Sequence, residues 1–170
     1  VYDRNQMKIA LYTGTFVKDK DGVARTLYEF AKSIHEHGHE LAVWSPDIDA
    51  EVEDAPHTVR LVASLPFPTY TEYTIGFFTR RMKKQLDEFA PDIIHISTPD
   101  HAGRGFLLYG IRNNIPVVSA YHTDFLAYAP YFNVAFLIPP AWVYVKWFYN
   151  QCALTLVATR TIADTLRSKW

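Results

Sequence analysis

The residues of this chain that could bind or transfer a chemical group are concentrated in three short segments, each directly after an apolar run. The segments read TFVKDKDGVAR (15–25), STPDHAGRG (97–105) and AYHTDF (120–125). They supply carboxylates, cations, glycines and histidines at Asp21, Gly22, Arg25, Asp100, His101, Gly103, His122 and Asp124. A histidine at the end of a strand can donate a hydrogen bond to a bound ligand without acting as a base. The three segments are therefore the candidate binding site.

The first segment contains a glycine where a helical pattern begins. The unpaired N–H groups and the macrodipole at a helix start favour an anion, and a glycine lets a ligand come close. Gly14 and Gly22 are too far apart for the dinucleotide-binding pattern G-x-G-x-x-G. Two interpretations stay open: a loop in which the Gly22 and Val23 amides approach a phosphate, and a plain turn in which Asp21 caps the helix.

Six β-branched-rich runs must position these segments as strands. Several are apolar almost continuously, as expected for parallel strands covered on both faces. They read KIALYTG (8–14), ELAVWSP (40–46), TVRLVAS (58–64), DIIHIST (92–98), PVVSAYH (116–122) and LTLVATR (154–160).

Helical patterns separate most of the strands. The first covers 23–34 and ends near Gly38, and the second covers 72–89 and ends before Pro91. Further helices are predicted over 103–112, over about 141–151 and from Thr161 onward. This alternation predicts a single α/β domain with a doubly wound, Rossmann-like parallel sheet.

With the strand order 3-2-1-4-5-6, ligands bind beyond the carboxyl ends of strands one and four, with the end of strand five beside them. We then expect the amides of Gly22 and Val23 to point towards His122. His95 lies inside strand four and is interpreted as a core residue.

The composition narrows the class of protein. Hydrophobic residues make up 49% of the 170 residues and charged residues 21%, which fits a globular domain. The net charge of -1 gives no support to nucleic-acid binding. Cys152 is the single cysteine, which excludes an internal disulfide and suits a reducing, cytoplasmic compartment. Prolines interrupt the apolar stretch 125–150, so no membrane span is predicted there.

Two further patterns have an ordinary interpretation beside a functional one. HEHGH (35–39) matches the zinc pattern H-E-x-x-H, but Gly38 interrupts it, and a solvated helix end is favoured over a metal site. In TRRMKKQ (79–85), Arg80 and Lys84 lie opposite the apolar stripe, with Arg81 and Lys83 beside them. That face is either simply solvated or contacts anionic lipid or an acceptor phosphate.

The combined segments resemble the N-terminal domain of retaining GT-B glycosyltransferases of family 4. The resemblance rests on MKIALYTGTF, DGVARTLYEFAKSIHEHGHELAVWSP, PDIIHISTP, PVVSAYHTDF and WFYNQCALTLVATRTIADTL, and it covers nearly the whole chain. It implies that residues 1–170 are the N-terminal Rossmann-like domain and that the nucleotide-sugar domain is absent from this chain.

The resemblance also implies residue roles. The backbone of Gly22 and Val23 faces the donor diphosphate, with Asp21 in place of a first glycine, and His122 contacts the donor sugar as the catalytic residue. Asp124 is assigned to the donor side. The acceptor side is assigned to Arg25, Arg80, Arg81, Lys84, Asp100 and His101.

The activity implied is sugar transfer from a nucleotide-diphosphate sugar to a lipid or small-molecule acceptor, with retention and without a metal or cofactor. This chain alone is expected to be inactive, because charge stabilisation is assembled between two domains. The expected location is cytoplasmic, with peripheral contact at the inner membrane face. Two alternatives remain: one half of a GT-B-type nucleotide-sugar epimerase, and a non-enzymatic α/β binding domain.

Overall fold

The computed structural model describes residues 6–18, 20–48, 57–67, 70–122 and 138–169. The elements of its first half are β1 (Lys8–Tyr12), α1 (Gly22–Glu36), β2 (Glu40–Ser45), β3 (Thr58–Leu61), β4 (Ser64–Phe67) and β5 (Tyr70–Gly76). Those of its second half are α2 (Arg80–Phe89), β6 (Ile93–Ile96), α3 (His101–Asn113), β7 (Val117–Tyr121), α4 (Ile138–Asn150), β8 (Leu154–Val157) and α5 (Arg160–Lys169).

The six apolar runs form one sheet in the order β3-β2-β1-β6-β7-β8, and every neighbouring pair in it is parallel. Tyr12 at the end of β1 lies opposite Trp44 on one side and Ile96 on the other. The order matches 3-2-1-4-5-6 among these six runs, so the prediction of a doubly wound α/β sheet is confirmed. The carboxyl ends of β1, β6 and β7 consequently meet at the same edge.

Helices cover the sheet on both faces. On one face, Leu27 and Ile34 of α1 pack against Leu11 of β1. On the other, Leu86 of α2 and Phe106 of α3 pack in a larger aromatic core with Trp44, Tyr12 and Phe148. The Phe106 ring stacks on Tyr12 with 5.1 Å between ring centroids. Full burial of a side chain of this size stabilises the fold by about 1.5–3 kcal/mol.

The helix boundaries follow from capping chemistry. The Asp21 side chain accepts the amide of Ala24, and the Thr79 side chain accepts the amide of Met82, so each is an N-cap. Gly38 adopts a φ of 77° directly after the C-cap of α1, where most other residues would be strained. The expected stop at Gly38 is confirmed.

The helix predicted over 72–89 is wrong in its first part. Residues up to Gly76 form β5, which pairs antiparallel with β4 in a separate two-stranded sheet, and α2 begins only at Arg80. The segment YTEYTIG is rich in β-branched and aromatic residues, which favour a strand, and Thr79 caps the helix that follows. The run predicted as one strand over 58–64 likewise ends at Leu61, and β4 begins at Ser64.

No helix in the described ranges is long and apolar enough to span a membrane.

Candidate functional site

The candidate site lies at the edge of the sheet where β1, β6 and β7 end, called here the carboxyl-end crevice. The segments after β1 and β6 are tied together, because the Gly14 amide donates to the hydroxyl of Thr98 at 2.8 Å. The backbone adds a second connection, from the Ser97 amide to the Tyr12 carbonyl at 2.8 Å. These bonds fix the start of the α1 loop against the start of the α3 loop.

Gly22 is the first residue of α1, and the fold itself does not require a glycine there. Its φ is not positive, and a Cβ added to it would meet no described atom within 4 Å. Among the described residues, the amides of Ala24 and Arg25 donate to Asp21, whereas those of Gly22 and Val23 donate to no group. The helix start therefore presents two amides that are unused within the described ranges, and the Cβ side of Gly22 is open, which suits the close approach of an anion.

His122 directly follows β7, at the same edge of the sheet as the start of α1. Burial lowers the pKa of His122, and the nearby Asp21 carboxylate opposes part of that shift. Its Nε2 atom is buried and has no hydrogen-bond partner among the described residues. A neutral imidazole with one unused nitrogen can hydrogen-bond a ligand at neutral pH.

His95 lies on β6 and is buried, as expected for a core residue. Its ring packs edge-on against Phe30 of α1 at 5.0 Å between centroids. Burial, and to a lesser extent the charge of His122, lowers the pKa of His95 to about 4. The two histidines thus interact electrostatically, and the inner one is neutral at pH 7.

The Asp100 carboxylate is occupied by the protein itself. One oxygen accepts the Tyr12 hydroxyl and the Gly76 amide, both at 2.7 Å, and the other accepts the Gly103 amide at 2.8 Å. Burial raises the pKa of Asp100, and these hydrogen bonds lower it in part. Asp100 consequently joins β1, β5 and α3, so any effect it has on a ligand passes through the groups it holds.

The other residues predicted from the loops lie in different surroundings. His101 is exposed, and its Nδ1 accepts the Phe78 amide at 3.3 Å. Arg25 is exposed on α1, beyond the helix start. A Cβ at Gly103 would come 2.0 Å from the Thr98 carbonyl oxygen, so this glycine is required for α3 to pack on the β6 loop. Asp124 lies outside the described residues.

In helix α2, carboxylates one turn later neutralise the charges of the two lysines. Lys83 pairs with Asp87 at 2.7 Å and Lys84 with Glu88 at 3.7 Å, both one turn apart on the helix. Such exposed pairs stabilise a helix only by about 0.3–0.5 kcal/mol, but they offset the charge of the lysines. The net positive charge is therefore concentrated in the first turn, at Arg80 and Arg81.

The H-E-x-x-H pattern does not lie on one helix. Helix α1 ends at Glu36, so His35 is helical whereas His39 is not. The His37 ring lies 2.7 Å from the Ser33 carbonyl, as expected for a solvated helix end. Within the described residues, no group of three or more histidines, cysteines or carboxylates could hold a metal ion.

Sequence reasoning missed two hydroxyl residues at the crevice. Ser97 is 6% exposed, and its Oγ has no hydrogen-bond partner in the part of the chain that the structure describes. Thr98 holds the Gly14 amide, as described above. The signal was their position at the end of the run DIIHIST (92–98), because ligands bind at the carboxyl ends of strands in such sheets.

Comparison with known proteins decides the family. Residues 20–170 match the model of Glycosyltransferase Family 4. The chain belongs to glycosyltransferase family 4. This family 4 chain is 26% identical over 165 residues to a GDP-mannose-dependent alpha-mannosyltransferase of Mycobacterium tuberculosis (strain CDC 1551 / Oshkosh), covering 94% of the chain and 44% of that protein.

Two other relatives of the family 4 chain carry transferase or synthase names. The sulfoquinovosyl transferase SQD2 of Arabidopsis thaliana is 27% identical over 146 residues, covering 85% of the chain and 29% of that protein. The alpha-monoglucosyldiacylglycerol synthase of Streptococcus pneumoniae (strain ATCC BAA-255 / R6) is 26% identical over 166 residues, covering 94% of the chain and 37% of that protein. The chain thus spans less than half the length of each of these relatives.

Proposed function

We propose that this family 4 chain forms the N-terminal domain of a retaining glycosyltransferase that moves a sugar from a nucleotide-diphosphate donor to a lipid or small-molecule acceptor. The observation that carries the proposal is the pairing of two features at one edge of the sheet. Within the described ranges, the Gly22 and Val23 amides donate to no group there, and Nε2 of His122, at the same edge, has no partner.

The first step assigned to the chain is binding of the donor diphosphate. The amides of Gly22 and Val23 and the positive end of the α1 dipole stabilise the diphosphate as negative charge develops on it. The Asp21 carboxylate lies close to this position as the N-cap of α1. Its negative charge offsets part of the positive potential that the helix start offers to the diphosphate. Its side chain accepts the Ala24 amide and leaves the two preceding amides to the ligand.

The second step is orientation of the donor sugar. His122 donates a hydrogen bond to a sugar hydroxyl, and Asp124 is assigned to the same side. A front-side displacement needs no protein nucleophile, so a neutral His122 serves as a hydrogen-bond donor and not as the base. Its lowered pKa keeps it neutral at pH 7.

The acceptor side is assigned to cationic and histidine side chains: Arg25, Arg80, Arg81, Lys84 and His101. Asp100 contributes there by holding β5 and α3 in place, since both of its oxygens are occupied. A lipid acceptor is supported by one relative, which is an alpha-monoglucosyldiacylglycerol synthase by name. Peripheral contact of α2 with an anionic membrane at the cytoplasmic face belongs to the same proposal.

The nucleotide-sugar domain completes the site in the whole protein. The relatives extend well beyond the part that this chain matches, which supports a second domain. Because transition-state charge is stabilised from both sides, we expect residues 1–170 alone to transfer no sugar at an enzyme-like rate.

The test is Gly22→Val in the whole protein, with transfer of labelled sugar and donor binding as measurements. No described atom lies within 4 Å of the new Cβ, so the fold should tolerate the change while the diphosphate is blocked. Ser33→Val is the matched control, a β-branched substitution on the exposed side of the same helix. Unchanged donor binding in Gly22→Val, with Ser33→Val equally active, would refute the proposal.

A further inference from the structure

The loop that leads from β1 to helix α1 is held by Asp47, two residues beyond the end of β2. Its carboxylate oxygen Oδ2 accepts the Thr15 hydroxyl at 3.2 Å and forms an ion pair with the Lys20 ammonium. Its backbone carbonyl accepts the Phe16 amide at 2.7 Å. One residue after β2 is therefore bound to three residues of the loop, the last of which is two residues before Gly22.

Asp47 is itself held by the buried end of β2. The Ser45 hydroxyl donates to the Asp47 carbonyl at 2.8 Å and accepts the Asp47 amide at 3.2 Å, and Ser45 is fully buried. The next residue, Ile48, forms a parallel bridge with Phe16. These bonds use the backbone of Asp47, so a change in its side chain alone leaves them in place.

The two ends of the loop are fixed in different ways. The Phe16 ring is fully buried and stacks on the Tyr28 ring of α1, with 4.4 Å between ring centroids. Closer to the helix, the ion pair of Lys20 with Asp47 ties the loop to the end of β2. Two residues of extended chain span at most about 7 Å, so this ion pair restricts where the Gly22 amide can lie.

The ion pair between Lys20 and Asp47 is better explained by position than by stability or by attraction of an anion. The two side chains are 28% and 33% exposed, and ion pairs open to water contribute little to the stability of a fold. The carboxylate of Asp47 also repels an anion that approaches the same loop. What the ion pair provides is a fixed loop directly before the helix start.

We infer that Asp47 is a positioning residue for diphosphate binding. By its hold on the loop, it keeps the Gly22 and Val23 amides in the geometry that receives the ligand, without touching the ligand itself. This inference rests on the proposed function, which assigns those two amides to the diphosphate. A loop released from Asp47 populates the receptive geometry only part of the time, and the apparent affinity falls by the same fraction.

The experiment titrates the whole protein with inorganic pyrophosphate at constant ionic strength, by calorimetry. Asp47→Asn keeps the size of the side chain and the backbone bonds but removes the charge that pairs with Lys20. Binding should weaken about fivefold, as for a loop that is receptive about one fifth of the time. The melting temperature should change little. Charge alone predicts the opposite result, because the loss of a carboxylate strengthens the binding of an anion.

Glu36→Gln is the matched control, because it removes the same charge from an ion pair, with Lys32 at 3.9 Å, in the last turn of α1. It should change the affinity by less than about twofold. Lys20→Asp places two carboxylates together and should also weaken binding. Its combination with Asp47→Lys restores the pair with reversed signs and should recover most of the affinity. Amide exchange at Phe16 and Lys20 should be faster in Asp47→Asn and return towards normal in the charge-swapped pair.

Gly22→Val, measured alongside, separates this inference from the proposed function. If Gly22→Val loses pyrophosphate binding while Asp47→Asn binds as tightly as the wild type or more tightly, the inference is overturned and the proposed function remains. If Gly22→Val binds normally, or the wild type does not bind, the proposed function fails and the inference fails with it. Weak binding in Asp47→Asn that the charge-swapped pair does not recover also overturns the inference, because the loss would not then come from the ion pair.

Discussion

The Tyr12 hydroxyl donates a hydrogen bond of 2.7 Å to Asp100, across a sequence separation of 88 residues. The same carboxylate oxygen accepts the Gly76 amide at 2.7 Å. The central strand, the β4–β5 hairpin and the start of α3 therefore meet at one buried carboxylate. Burial and the Asp100 charge together raise the pKa of Tyr12 well above its ordinary value, so the phenol remains a donor.

Asp100→Asn should destabilise the domain by about 2–4 kcal/mol, because in either orientation the amide NH₂ would face a donor, that of Gly103 or those of Tyr12 and Gly76. Tyr12→Phe removes only one donor and should cost about 1 kcal/mol. Chemical denaturation of both variants and of the double variant measures the coupling free energy between the Tyr12 and Asp100 side chains. Additive losses would mean that the two side chains do not share this hydrogen bond.

His122→Ala in the whole protein should lower kcat/KM by a factor that corresponds to about 2–4 kcal/mol, if its hydrogen bond strengthens in the transition state. The fold should be retained, because the side chain is only partly buried. His37→Ala is the control, since His37 lies at the opposite end of α1. Equal rates for His122→Ala and His37→Ala would remove His122 from the proposed site.

Stability should fall as the pH drops below about 6.5, because the pKa of His95 is lowered to about 4 in the folded protein. Between these values the unfolded chain binds a proton that the folded chain does not, so protonation favours unfolding. The full contribution is of the order of 3 kcal/mol, reached near pH 4. Melting curves from pH 7 to pH 4 test this, and His95→Leu should flatten the dependence. An unchanged slope in His95→Leu would assign the acid sensitivity to other groups.

Gly103→Ala and Gly22→Ala should have opposite effects on stability. The new Cβ at position 103 would lie 2.0 Å from the Thr98 carbonyl oxygen, whereas at position 22 it meets no described atom within 4 Å. We expect a loss of about 2–4 kcal/mol for Gly103→Ala, as for a backbone clash in the core. For Gly22→Ala we expect no loss, or a gain of up to about 1 kcal/mol. Thermal unfolding of the two variants compares their free energies of unfolding. Equal destabilisation of both variants would contradict the prediction.

The sheet could be predicted from sequence because its strands are buried on both faces. Runs such as KIALY and ELAVWS are apolar along their length, and parallel sheets with short crossovers leave few possible strand orders. The β4–β5 hairpin escaped prediction because the spacing of Ile75, Phe78 and Met82 imitates a helix. The β propensity of the segment around Ile75 and the cap at Thr79 outweigh that spacing.

The site was predictable only in outline. The sequence places Gly22 after the first strand and His122 after the fifth. With the strand order known, only β6 separates these two strands, and their carboxyl ends lie at the same edge of the sheet. It cannot tell that both oxygens of Asp100 are occupied, since two of its donors, Tyr12 and Gly76, come from distant parts of the chain. The ion pairs of Lys83 and Lys84 were readable from their spacing to Asp87 and Glu88, four residues later in each case.

The position of β1 between β2 and β6 also sets the order in which the chain can fold. Gly14 and Thr98, joined at the end of this strand pair, are 84 residues apart in sequence. The β1–α1–β2 unit can form early, since its contacts are local, but one edge of β1 stays open until β6 has been synthesised. Such non-local pairing slows folding, and an open, apolar strand edge is prone to pair with other chains. Expression at low temperature, or with a chaperone that covers that edge, should therefore raise the yield of folded protein more than any change at the surface of α1.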